Sequence, residues 1–264
     1  MFSRIPEDRL YCAWRIKTTF KDDLGKTLNG SGTCFFVKNS MDEVCLVTNR
    51  HLIDVDYKKP NSDYKEFKLI TIEAFGKKRN IENMPDIDCK VMFYSFKILT
   101  SPKYENDVEV LKELRAYNDE EYTANVDYIL PFNEIATEEQ IKTGLKISDS
   151  LVFPGFPSWY DKIENRPILR PGMVSSDPRY NYSYGNIVIG DCLAYEAFSF
   201  EGSSGSPVFA LQRGFPSDKL ITWPDYRPLL LVGINAGSLL TNNNAHSGIS
   251  YLYKSSIIIE LMNQ

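Results

Sequence analysis

Only two histidines, His51 and His246, occur in 264 residues, so each can be weighed singly. His51 closes an apolar run, Cys45-Leu46-Val47-Thr48-Asn49-Arg50-His51. A strand end on a rigid sheet is where working side chains tend to be held; a hydrogen-bonded structural histidine is the plain alternative. Further on, Glu201-Gly202-Ser203-Ser204-Gly205-Ser206-Pro207 sets small residues between Phe200 and the apolar Val208-Phe209-Ala210. Small residues let a backbone turn tightly, so that neighbouring N–H groups converge beside a hydroxyl, as an oxyanion hole with a nucleophile requires. An ordinary Gly/Ser loop is the alternative there. Asp107 opens the alternating Asp107-Val108-Glu109-Val110-Leu111, and Asp127 stands in Val126-Asp127-Tyr128-Ile129-Leu130. His246, in Asn242-Asn243-Asn244-Ala245-His246, has no evident partner and reads as loop decoration. No C-x-x-C occurs, so zinc is not expected, and neither is any other metal or organic cofactor.

The elements around these residues read as strands. From Leu10, the residues Leu10, Cys12, Trp14 and Ile16 alternate with Tyr11, Ala13, Arg15 and Lys17, the period of a half-buried strand. Lys21 to Gly32 is a turn by composition. Strands are expected at Thr33–Val37, Val44–Thr48, Phe67–Phe75, Val91–Leu99, Leu151–Phe153, Ile168–Ser175, Ile187–Phe198, Pro207–Leu211, Leu229–Asn235 and Ile249–Tyr253. Short strands parted by Gly, Pro, Asn and Asp clusters point to an all-β chain of sandwiches or barrels. Helical signals are few. Thr137-Glu138-Glu139-Gln140 has the form of a capping box, and Ser255-Ser256 looks like the cap of a terminal helix through Met262. Two barrels of similar size fit this count, joined by a connector at 101–140. There eleven acidic side chains face three basic ones, which reads as a solvated face.

Composition excludes several classes. With 43 % apolar residues the chain is not disordered. A net charge of −5 without a Lys/Arg cluster is a poor match for a phosphate backbone, so nucleic acid is not an expected partner. No apolar stretch approaches the ~20 residues of a membrane helix, and Met1 to Leu10 lacks the apolar core of a signal peptide. Five cysteines (Cys12, Cys34, Cys45, Cys89 and Cys192), an odd count without tight spacing, fit reduced thiols in the cytoplasm.

Thr48-Asn49-Arg50-His51 resembles the T-x-x-H motif of trypsin-like serine proteases, and Gly202-Ser203-Ser204-Gly205-Ser206-Pro207 is similar to their G-[DN]-S-G-[GS]-P nucleophile motif. Gly30 to Val37 matches the strand before the histidine, and Asp107 to Lys112 the strand bearing the aspartate. Leu231 to Ile234 resembles the strand bordering the substrate cleft, and Ser247 to Tyr251 the one ahead of the terminal helix. The matches run from residue 30 to 260 in the order His, Asp, Ser. Ile147 to Pro157 is similar to a segment of bacterial intracellular trypsin-like peptidases and of high-temperature-requirement proteases, with Ser148 in place of a glycine.

The resemblance implies a chymotrypsin-like fold of two packed six-stranded antiparallel barrels with a C-terminal helix. Residues 1–135 would carry His51 and Asp107, and residues 136–264 would carry Ser204. It implies a serine endopeptidase acting on polypeptides, with His51, Asp107 and Ser204 as the triad and Gly202 and Ser204 as oxyanion donors. Phe198, six residues before the nucleophile, would floor a specificity pocket walled by Gly233, Asn235 and Gly237, and its apolar ring would not select Lys or Arg. Departures are informative. Leu52 replaces the cysteine beside the histidine, and Ser203 replaces the acid that receives a newly cleaved N-terminus in zymogens. Asp127 remains a rival to Asp107. Control by narrow specificity, a regulatory protein partner or a collapsed oxyanion loop is expected of such an enzyme. The competing class is a peptide-binding or scaffold module on the same fold with hydrolysis lost or latent.

Overall fold

The computed structural model describes residues 5–59, 63–117, 126–185, 187–214, 216 and 225–264. A single helical turn, α1 (Asp8–Tyr11), precedes β1 (Ala13–Lys21), β2 (Thr27–Lys38), β3 (Val44–Thr48), β4 (Lys68–Arg79), β5 (Pro85–Thr100) and β6 (Glu109–Tyr117). These six strands close into an antiparallel barrel in the order β1-β2-β3-β6-β5-β4. After α2 (Glu138–Gly144) come β7 (Ser150–Gly155), β8 (Ile168–Val174), the small hairpin β9 (Ser183–Tyr184) and β10 (Ile187–Val188), β11 (Cys192–Glu196), β12 (Pro207–Ala210), β13 (Leu230–Leu240), β14 (His246–Lys254) and α3 (Ser255–Met262). A second antiparallel barrel closes in the order β11-β14-β13-β12-β7-β8. The chain is the all-β, two-barrel molecule that its strand pattern implies.

Each barrel fills with the inward half of its alternating residues. In the first, Trp14, Ile16, Phe36, Ile72 and Phe93 pack together, with Trp14 edge-on to Phe36 at 5.3 Å. In the second, Phe153 meets Tyr195 edge-on at 5.7 Å among Leu193, Val208 and Val232. A third apolar cluster joins the barrels. It draws Phe35, Val47 and Val110 from the first, Phe209, Leu231 and Ile234 from the second, and Ile257, Ile258 and Leu261 from α3.

Five local readings need correction. The strand expected from Leu10 starts at Ala13, because Cys12 N–H bonds back to the Asp8 carbonyl and closes α1. The expected turn at Lys21 to Gly32 shrinks to the Asp22–Lys26 corner, and β2 already begins at Thr27. Glycines there allow close approach: a Cβ on Gly30 would stand 2.5 Å from Thr18 Oγ1. The acidic stretch is not a solvated connector throughout. It contains β6, whose Val110, Leu111 and Ala116 are buried between β3 and β5, with the charged residues turned outward apart from Glu109; residues 118–125 lie outside the described set. The expected strand Ile187–Phe198 is broken into β10 and β11 by Gly190 at φ +122°, where the turn brings Asp191 onto Asn106. At the helices, Thr137 and Gln140 exchange both bonds of the capping box. Ser255 and Ser256 do not cap α3, because their hydroxyls bond to the Ala136 carbonyl and to Glu138.

Gly76 shows how tightly the first barrel is filled, since a Cβ there would lie 2.3 Å from the Trp14 ring. Gly76→Ala is expected to destabilise the chain by about 1–3 kcal/mol through overpacking. Thermal melting read by near-ultraviolet circular dichroism checks this; an unchanged midpoint would mean that Trp14 moves freely in the barrel.

Candidate active site

His51 and Asp107 meet because β3 and β6 are neighbours in register, with Thr48 opposite Glu109. Beyond Thr48 the chain leaves the strand through extended Asn49 and tightens into a 3-10 turn at Arg50–Leu52. His51 therefore stands directly over Asp107 at the head of β6. Its backbone N–H donates to Asp107 Oδ1 at 2.9 Å, and its Nδ1 lies 2.6 Å from Oδ2. Asn49 Nδ2 donates to the Asp107 carbonyl at 2.6 Å, fixing the backbone that carries the carboxylate. Asp107 is 7 % exposed, so its negative charge acts through little water. An Nδ1–H directed at a carboxylate leaves Nε2 as the acceptor nitrogen on the imidazole's other side. Asp127 is elsewhere. It accepts the Arg79 N–H at 2.7 Å and anchors the chain to β4.

The first barrel also grips the loop that carries Ser204. Thr33 on β2 donates its N–H to the Ser204 carbonyl at 2.8 Å and its hydroxyl to the Gly202 carbonyl at 2.8 Å. The Thr33 carbonyl in turn accepts the Thr48 hydroxyl, three residues before His51. Two glycines make this approach feasible. A Cβ on Gly205 would lie 1.8 Å from the Thr33 carbonyl oxygen, and one on Gly32 would lie 2.5 Å from Leu52 and 3.0 Å from the Ser204 carbonyl oxygen. Ser204 is thus held against the segment that carries His51. Its Oγ lies 3.5 Å from the Ala236 carbonyl, and no hydrogen bond among the described residues links it to His51.

Backbone N–H groups of this loop divide into two sets. Ser203 N–H bonds the Phe200 carbonyl, Gly205 N–H the Asn235 carbonyl and Ser206 N–H the Ser203 carbonyl. Those of Gly202 and Ser204 donate to no acceptor among the described residues. Their direction follows from the trans peptide, whose C=O and N–H point to opposite sides. The Glu201 carbonyl accepts Ser158 N–H, and the Ser203 carbonyl accepts Ser206 N–H and Asn235 Nδ2. Both spare N–H groups therefore face away from these partners. Such a pair of donors can hold an anionic oxygen.

The residues expected to line a pocket separate. Gly233 is buried against Leu252 and the Tyr253 carbonyl. Asn235 is wholly enclosed and braces the loop from beneath: it accepts from Tyr195 Oη at 2.6 Å and donates to Ser199 Oγ and to the Ser203 carbonyl. Gly237 is partly open, beside Tyr251. Phe198 is half exposed and sits 5.0 Å from the His246 ring. His246 is no loop decoration. It opens β14, lies against Phe198 and Phe200, and bonds the Ser199 N–H. Burial holds its pKa below the ordinary value. Nothing in the local sequence signals that contact; only the β13–β14 return brings it about. Among the described residues, no group of His, Cys, Asp or Glu is arranged to hold a metal ion.

Beside this site lies a buried carboxyl group that nothing in the local sequence signals. Glu109 is 2 % exposed, its carboxylate 3.6 Å from Arg50, whose Nε also bonds Asp54. Burial pushes Glu109 up from 4.5 to about 7. Between those values the folded chain keeps a proton that the unfolded chain has released, so stability falls as pH rises through that window, by roughly 3 kcal/mol in total. Glu109→Gln should remove this decline. Urea unfolding at pH 4.5 and pH 8 checks it, and an unaltered decline in the variant would assign the proton to another group.

No protein-family model and no curated protein matches the chain. Solved structures do match in fold. One is an HtrA-type protease, AlgW, with a decapeptide: TM-score 0.50, 14 % identity, covering 96 % of this chain and 64 % of that one. Another is Deg5, with TM-score 0.50 and 14 % identity, covering 96 % of this chain and 88 % of that one. The chain thus spans less than two thirds of the AlgW structure, and what it shares with both is the two-barrel fold of trypsin-like proteases.

Proposed function

We propose that the chain is a serine endopeptidase, with residues 1–135 contributing His51 and Asp107 and residues 136–264 contributing Ser204. The observation that carries this reading is the 2.6 Å contact of His51 Nδ1 with a buried carboxylate, beside a serine loop with two spare N–H groups. In the reaction, Ser204 Oγ leaves the Ala236 carbonyl, passes its proton to His51 Nε2 and attacks the scissile carbonyl. Asp107 stabilises the imidazolium. The Gly202 and Ser204 N–H groups take the oxyanion, an effect of about 2.7–4 kcal/mol per donor in a comparable hydrolase. Collapse breaks the C–N bond, His51 returns the proton to the leaving amine, and water repeats the sequence on the acyl-enzyme. The residue before the scissile bond lies on the Phe198 flank, whose half-exposed apolar ring offers Lys or Arg no counter-ion.

A polypeptide is the substrate class; the decapeptide in the AlgW structure belongs to that protein. Cysteine usage favours a cytoplasmic setting, and among the described residues no helix is long and apolar enough to cross a membrane. A second reading, a latent or peptide-binding module, rests on the Ser204 hydroxyl lying against Ala236 instead of His51. A fluorophosphonate probe discriminates the two, since only an activated serine is labelled.

Ser204→Ala should abolish labelling and lower kcat by about 10⁶ with the melting temperature nearly unchanged. Cleavage within tenfold of the unaltered chain would remove Ser204 from the chemistry. Asp107→Asn should cost about 10⁴ in kcat, against less than about threefold for Asp127→Asn. Steady-state rates on one peptide at pH 7.5 settle the pair; the reverse ranking would move the orienting role to Asp127.

A further inference from the structure

A cleft of about 300 Å³ adjoins Gly202 on the side of the first barrel. Arg15 of β1 and Ser31 of β2 form one wall, and Tyr160 and Lys162 of the β7–β8 loop form the other, with Glu201 at the rim. The Arg15 guanidinium lies 4.3 Å from the centre of the Phe75 ring and 5.6 Å from that of Tyr160. Its Nε is buried with no hydrogen-bond partner. Stacking on two rings fixes the plane of the guanidinium, yet among the described residues neither Arg15 nor Lys162 has a carboxylate within ion-pair distance. Lys17 stands over the same Phe75 ring at 5.3 Å, and Lys90, 5.6 Å away, is neutralised by Glu73. Among the residues lining this opening, the cationic Arg15 and Lys162 stand against one carboxylate, Glu201; Asp161, in the same loop as Lys162, turns its Oδ1 to the Ile163 and Glu164 N–H groups.

A held, unpaired guanidinium is a costly arrangement unless an anion completes it, and Arg is the side chain suited to grip a carboxylate through two N–H groups. The cleft begins at Gly202, whose N–H is one of the two spare donors beside Ser204. The Phe198 flank is built from other segments, the loop before Ser204 and the start of β14. A polypeptide with its acyl side on the Phe198 flank leads its leaving-group side toward Arg15. We infer that this cleft is an anion subsite for the leaving-group side of the substrate, taking an Asp or Glu side chain at the first or second position after the scissile bond. The inference rests on the hydrolase reading above for the direction of the substrate.

The test uses internally quenched hexapeptides that differ only in carrying Glu or Gln at those two positions. The expected ratio of kcat/KM, Glu over Gln, is about five- to tenfold at low ionic strength, and it should shrink toward one in about 0.5 M NaCl. Lys162→Gln, on an exposed side chain with no ion-pair or hydrogen-bond partner among the described residues, should lower the ratio, and Arg15→Gln should lower it further. A ratio at or below one in the unaltered chain overturns the subsite, as does a ratio that neither variant changes. Fluorophosphonate labelling of Ser204 reports on hydrolysis separately, so a labelled chain with a flat ratio sinks the subsite alone. If no labelling or cleavage occurs, fluorescence anisotropy of the same two peptides on the intact chain decides. Preferential binding of the Glu peptide that Lys162→Gln weakens upholds the subsite, and equal binding overturns it.

Discussion

One buried amide holds the Ser204 loop in shape. Asn235 has no exposed surface and spends its side chain on three partners: Tyr195 Oη, Ser199 Oγ and the Ser203 carbonyl. Its backbone makes two further bonds, to Gly205 and Ser206. With the Ser203 carbonyl drawn inward, the Ser204 N–H is turned outward by peptide planarity alone. Ser203 is a buried hydroxyl without a hydrogen-bond partner among the described residues, and the loop is braced from the adjacent strand. Buried, satisfied polar networks of this kind fix one arrangement because every alternative leaves donors unmade.

The two barrels are not independent halves that happen to touch. Thr33 spans them with its N–H and its hydroxyl, and the Gly205 and Gly32 backbones come too close to neighbours to carry any side chain. The distance between the His51 turn and the Ser204 loop is consequently set by backbone contacts, which are far less compliant than side-chain packing. Arg50 extends the same rigidity outward, its guanidinium lying over Tyr57 at 4.6 Å and Tyr104 at 5.4 Å while it pairs with Asp54. A turn pinned in this way presents the imidazole in one orientation.

Much of this was legible beforehand, for physical reasons. Alternation is a local signal, so β1, β3, β4, β7 and β12 could be placed to within a few residues from their own side chains. His51 and the Gly202–Ser206 loop stood out because histidine is scarce in this chain and because consecutive small residues have few other uses. The failures share a cause. The head of β6 showed as the alternating Asp107–Leu111 while its later half passed for an acidic connector, and β2 began inside a segment whose Gly and Asn content imitates a turn. Asn235, His246 and Glu109 owe their surroundings to partners far along the chain. Ser199 lies 36 residues before Asn235, and His246 meets a loop 47 residues earlier. Composition near a residue cannot report such neighbours.

α3 has a consequence in time as well as in space. Ile257, Ile258, Leu261 and Met262 share one apolar cluster with Val108 and Val110 of the first barrel and with Leu231 and Ile234 of the second. During synthesis from the N-terminus, every strand of the first barrel is complete once Tyr117 has been added. Its outer face nevertheless stays uncovered until residues 255–262 exist, on the order of ten seconds later at ordinary elongation rates. Within that interval the Ser204 loop lacks its brace until Asn235 has been added. Packing of the cluster between the barrels is thus deferred until residues 255–262 have been made.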